Sequence, residues 1–153
     1  MKLSKNFTLE EMLVSNFKKI DNSPTNEIIS KLEDLCTSII QPIRDKWGAL
    51  SVTSGFRCRE LNVAVGGSNT SQHCFGEAVD FIPVNADVDE VFKWIVKESN
   101  LNFGQCINEQ VSRNNTHWIH ISLPTAKHKQ DALVYEDGKY RTYFKTATTE
   151  VKG

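Results

Sequence analysis

Nine apolar residues, Ile28, Ile29, Leu32, Leu35, Cys36, Ile39, Ile40, Ile43 and Trp47, recur at intervals of three and four, and Gly48 closes the run. That spacing lines one face of an amphipathic helix, and a stripe this continuous has to be buried against another layer of structure. The helix is expected to open at Ser23-Pro24, where a proline in the first turn loses no hydrogen bond, and to kink near Pro42, which cannot donate one. Ahead of it, Thr8 and Glu11 read as a capping box for a shorter helix that carries Leu9, Met12, Leu13 and Phe17.

The covering layer must come from the residues beyond Gly48, where the periodicity changes. The segment LSVTSGF, beginning at Leu50, is short and rich in β-branched residues and reads as a strand. RCRELNVAVGGSNTS after it holds Gly66-Gly67 and no sustained period, so it is a loop with at most a helical turn. Residues 77–82 alternate toward a second strand, and Asp87 to Glu98 puts Val88, Val91, Phe92, Ile95 and Val96 at helical spacing. Phe103 to Ile107 and Trp118 to Leu123 supply two more strands, and a hairpin over 132–145 turns at Asp137-Gly138. The pattern predicts an α+β fold with N-terminal helices packed on a small, mostly antiparallel sheet. A length of 153 residues fits a single domain, 1–153, that buries about two-thirds of its unfolded surface.

Charge and patterning exclude several function classes. With 18 Lys plus Arg against 19 Asp plus Glu there is no basic excess for a nucleic-acid partner, whose phosphates demand one. The N-terminus, MKLSKNFTLEEMLVSNF, lacks an apolar h-region, and no segment approaches eighteen apolar residues in a row. The expectation is a soluble chain without a secretion signal and without membrane insertion. Cys36, Cys58, Cys74 and Cys106 show no C-x-x-C spacing and read as reduced, mostly buried thiols.

Chemistry concentrates in SQHCFGEAVDF and, some forty residues on, in THWIHIS. His73, Asp80 and His120 are the nitrogen and oxygen donors that catalytic zinc sites use. On a strand Asp80 shares a face with Ala78 while Val79 and Phe81 take the other, and His120 shares a face with Trp118 while Ile119 and Ile121 oppose them. Gly76 would let the backbone turn from His73 into that strand. Spacing alone fits two readings, a metal centre or hydrogen-bonded core histidines with a turn-capping aspartate. His128, in the polar run AKHKQD, reads as a solvated loop residue.

The segments SGFRCRELNVAVGG, SNTSQHCFGEAVDF and HWIHIS resemble the motifs of the zinc D-alanyl-D-alanine carboxypeptidase family. That family takes in bacterial D,D-peptidases, phage endolysin L-alanyl-D-glutamate peptidases and, more remotely, the Hedgehog signalling domain. Its pattern S-x-H-x-x-G-x-A-x-D is met by Ser71, His73, Gly76, Ala78 and Asp80, and W-x-H by Trp118 and His120; the resemblance covers residues 6–125. It implies one zinc ion held by His73, Asp80 and His120, whose bound water, with a pKa near ~7, attacks a peptide carbonyl. It implies that Arg57 holds substrate and polarises its carbonyl or carboxylate, with Ser71 and Gln72 as further hydrogen-bonding groups.

The general base departs from the best-known relatives, which carry an acid three residues before the last ligand, where this chain has His117. There are two candidates: His117 itself, or Glu109 in QCINEQ, with Glu109 favoured as base and His117 as electrostatic helper. The implied activity is hydrolysis of D-amino-acid-containing bonds in peptidoglycan stem peptides by a monomeric, endolysin-like enzyme. Such an enzyme is cytoplasmic on synthesis and acts on the cell wall after release, or travels with a virion. The alternative is a non-catalytic zinc-stabilised binding or virion-structural module of the same fold.

Overall fold

The computed structural model describes residues 1–144, so residue 145 of the expected hairpin and the remainder of the expected domain to 153 lie outside the described residues. The apolar stripe forms one long helical run in three parts: α2 (Asn26–Leu35), a π-helical segment Cys36–Ile40, and α3 (Gln41–Trp47). Its cap is Thr25, whose hydroxyl accepts the N–H of Ile28, so Ser23 and Pro24 stand outside the helix. The π segment is how the chain absorbs Pro42. Gln41 N–H reaches back to the Cys36 carbonyl, five residues away, widening the helix just where the proline can donate nothing. Upstream, Thr8 and Glu11 form the capping box, but α1 (Leu9–Met12) is a single turn and Phe17 lies in the loop beyond it. A two-stranded ribbon of β1 (Lys2–Ser4) and β2 (Phe7–Thr8), not anticipated, buries Leu3 and Phe7 in the main core.

The remaining strands are β3 (Leu50–Ser54), β4 (Ala78–Pro83), β5 (Gln105–Val111), β6 (Thr116–Ser122), β7 (Asp131–Glu136) and β8 (Lys139–Phe144). They form a six-stranded sheet in the order β3-β4-β6-β5-β7-β8, antiparallel except where β5 and β7 run parallel. Asp137 and Gly138 both take positive φ in the turn between β7 and β8, as a tight hairpin requires. Two helices complete the chain: α4 (Arg59–Ala64), within the segment expected to be mostly loop, and α5 (Val88–Lys97), capped by Asp87.

The sheet has one dry face. Val79 and Phe81 of β4, Ile119 and Ile121 of β6 and Cys106 of β5 pack with Leu32, Leu35 and Ile39 of the long helix and Phe92 and Ile95 of α5 in a continuous core. Strand alternation then commits Asp80, His120, Trp118 and Glu109 to the opposite face. There, α4 and the loop after it stand beside the strands and make a cleft. No helix among the described residues is long and apolar enough to cross a membrane.

Candidate metal centre

Asp80 and His120 are direct cross-strand partners in the antiparallel β4–β6 pair, which brings their side chains together on the cleft face. His120 Nδ1 lies 3.0 Å from Asp80 Oδ1. The third group arrives from a 3₁₀ turn, Gln72–Phe75, that leads into β4. Ser71 caps this turn, its Oγ accepting the His73 N–H, and Gly76 ends it at φ +73°. A side chain at Gly76 would have its Cβ 2.9 Å from the Ile28 carbonyl oxygen of α2, so the motif's glycine meets both a left-handed backbone and a close helix contact.

His73 is oriented from two sides. Its carbonyl accepts the N–H of Arg57 at 3.0 Å, and its Nδ1–H donates to the Gly55 carbonyl at 2.7 Å. In the neutral ring Nε2 then carries the lone pair. It is buried, has no hydrogen-bond partner among the described residues and sits 3.3 Å from Asp80 Oδ1. In the neutral ring that nitrogen and the carboxylate oxygen face each other without a proton and repel, and either a proton on Nε2 or a metal cation between them turns the contact into an attraction. The backbone carbonyl on Nδ1 is the orienting contact that metal-bound histidines usually have. His73, Asp80 and His120 present ligand atoms within 4.8 Å of one another, a donor set that suits zinc. Burial alone would push the Asp80 carboxyl up, but the His73 and His120 imidazoles outweigh it and hold it well below the usual carboxylate range.

Arg57 braces this cluster. Its Nε–H donates to Ser54 Oγ and an Nη1–H to Asn62 Oδ1, both at 3.0 Å, while Nη2 lies 3.6 Å from Asp80 Oδ2. Glu109 stands opposite Trp118 in the β5–β6 register and accepts its indole N–H at 3.0 Å. Burial, and then the negative charge of Asp80, raise the Glu109 carboxyl to about 7, against the pull of His120, the Trp118 N–H and Arg57. Glu109 thus lies inside β5, which runs on past the strand end expected at Ile107, and in the same cleft as His73, Asp80 and His120.

His117 is not brought there. It is three residues from His120 on one strand, an odd spacing that turns it to the other face. Its Nε2–H donates to Asn108 Oδ1 at 2.6 Å, close to Asp89 of α5, which corrects the expectation that it helps at the reacting centre. Ser71 and Gln72 both line the cleft, but the Gln72 amide N–H groups are spent on the Leu123 carbonyl and on Glu77. His128 is half-buried beside Asp131 and also lines the cleft, contrary to its reading as a solvated loop residue. Ser54 and Asn62, the braces of Arg57, and Tyr135 and Tyr140 from the C-terminal hairpin went unrecognised in the sequence, because only the folded loop and the pairing across the sheet bring them in.

A comparison with family models matches residues 5–122 to the family described as Peptidase M15. No curated protein matches the chain. The match spans all three candidate ligands, Arg57 and Glu109, and stops before the C-terminal hairpin. With a two-histidine, one-aspartate centre of the kind that family's zinc dependence requires, and a match over most of its length, the chain belongs to the Peptidase M15 family.

Proposed function

We propose that the protein is a zinc peptidase that hydrolyses D-amino-acid-containing bonds of peptidoglycan stem peptides, with Glu109 as its general base. The observation that carries the reading is the placement of a largely buried carboxyl, Glu109, in the same cleft as three converging metal ligands. His73, Asp80 and His120 would hold the zinc, which when bound would supply Lewis acidity and a lowered water pKa. The protein's own groups do the rest. Glu109 accepts a proton from the attacking water at a carboxylate oxygen and returns it to the leaving amine, the work for which a pKa near the operating pH is best suited. The Arg57 N–H groups not spent on Ser54 and Asn62 steady the charge that develops on the scissile carbonyl oxygen. The Ser71 hydroxyl and the Gln72 side-chain carbonyl remain free to bond the peptide's backbone. Three ligand groups converge and no fourth His, Cys, Asp or Glu joins them among the described residues, which favours an open catalytic shell over a closed structural one. We take the working form to be a monomer acting on the cell wall after release from the cell or from a virion.

The test is digestion of purified peptidoglycan and synthetic stem peptides, with fragments identified by mass spectrometry. Cleavage that stops on zinc chelation and in Asp80→Ala is expected. Intact substrate after incubation with protein that holds one zinc would turn the assignment to the non-catalytic module.

A further inference from the structure

Two cavities meet at the candidate metal centre, and Arg57, Val65, Asp80 and Trp118 line both. One, of about 330 Å³, is mainly apolar and runs between the loop at Val14 and Phe17 and helix α4, over Thr53 and Ile82. The other, of about 540 Å³, is mainly polar and runs past Ser71, Gln72 and Gln105 to Tyr135 and Tyr140 of the hairpin. Each is large enough for a ligand of several residues' side chains, and neither is an enclosed chamber. From these two arms we infer that the cleft accepts a peptide that continues on both sides of the cut bond, so that the protein is an endopeptidase and not a carboxypeptidase. The inference rests on the peptidase reading above.

Charge leads to the same conclusion independently. An enzyme that removes a C-terminal residue has to recognise a free carboxylate, which in a partly buried cleft calls for an unspent cation. Among the described residues that line the two arms, Arg57 is the only lysine or arginine. Its guanidinium is bonded to Ser54 and Asn62 and charge-paired with Asp80, and the N–H groups left over are those assigned above to the scissile carbonyl oxygen. A terminal carboxylate entering here would also meet Asp80 and Glu109, both acidic, at close quarters. An internal peptide group carries no charge and needs only hydrogen bonds. The apolar arm, with Leu61 and Val65 on one wall and the half-exposed ring of Phe17 on another, suits the neutral body of a continuing chain and adds no lysine or arginine beyond Arg57 for a charged chain end.

The experiment compares the zinc-loaded protein on one synthetic stem peptide, containing L-Ala–D-Glu and D-Ala–D-Ala bonds, as the free acid and as the C-terminal amide, both N-acetylated. The expected result is cleavage at an internal bond in both forms, with kcat/KM for the amide within about threefold of that for the acid. Release of the terminal residue alone, from either form, overturns the inference and leaves the peptidase reading standing. Loss of about tenfold or more in kcat/KM on amidation overturns it equally, since it reveals a carboxylate anchor. Cleavage of neither form overturns the peptidase reading and this inference with it.

Discussion

Glu109 owes its chemistry to opposing neighbours. Burial and Asp80 disfavour its charge, while His120, the Trp118 indole and Arg57 favour it, and the balance comes to rest at about 7, well above an ordinary glutamate at 4.5. Only the deprotonated form can accept a proton, so kcat/KM should rise with pH through an acid limb near that value; in Glu109→Gln the limb should vanish and kcat should fall by about 10²–10⁴. Zinc content, measured by atomic absorption, should be unchanged in that variant, which separates a lost base from a lost metal. Trp118→Phe removes the N–H that favours the charged carboxyl, so its acid limb should move to higher pH; an unmoved limb would mean that some other group titrates. His117→Ala should leave kcat/KM within about twofold and cost about 1 kcal/mol of stability through the lost bond to Asn108, as read by denaturant unfolding.

The 3₁₀ turn at Gln72–Phe75 shows how a short element sets a ligand. Its capping serine, its left-handed glycine and the Nδ1 bond to Gly55 together fix where His73 Nε2 points. Gly76→Ala adds a Cβ against the Ile28 carbonyl at a backbone angle that L-residues avoid. It should lower the melting temperature and, by loosening His73, weaken zinc binding by about 10–100-fold in calorimetric titration. Elements such as the long helix were legible because the Ile28–Trp47 stripe has one period and one face. The π segment was not, since periodicity says where the apolar residues fall and not how the backbone accommodates Pro42. Helix α4 was missed for a related reason: six residues with Leu61 and Asn62 as their buried pair are too short to establish a period.

At the scale of the molecule, the metal centre should couple to folding, because His73, Asp80 and His120 converge only when β4, β6 and the turn before β4 are assembled. Zinc at 100 times its Kd should therefore stabilise the wild type by about 2.7 kcal/mol, seen as a chelator-reversible rise in melting temperature; His73→Ala should show no such response. The C-terminal hairpin, beyond the family match, widens the polar arm with Tyr135 and Tyr140, so the cleft depends on more of the chain than its motifs cover. Local patterning was enough to specify an α+β chain, its ligand types and the strand faces that Asp80 and His120 take, because strand alternation and helical periodicity follow from backbone geometry. The same alternation already separates His117 from His120, an implication readable from their odd spacing. What awaited the folded molecule was register and environment. Nothing local sets Glu109 beside Asp80, turns Arg57 toward that carboxylate, or opens two arms on either side of it, since those relations join segments tens of residues apart through long-range strand pairing and burial.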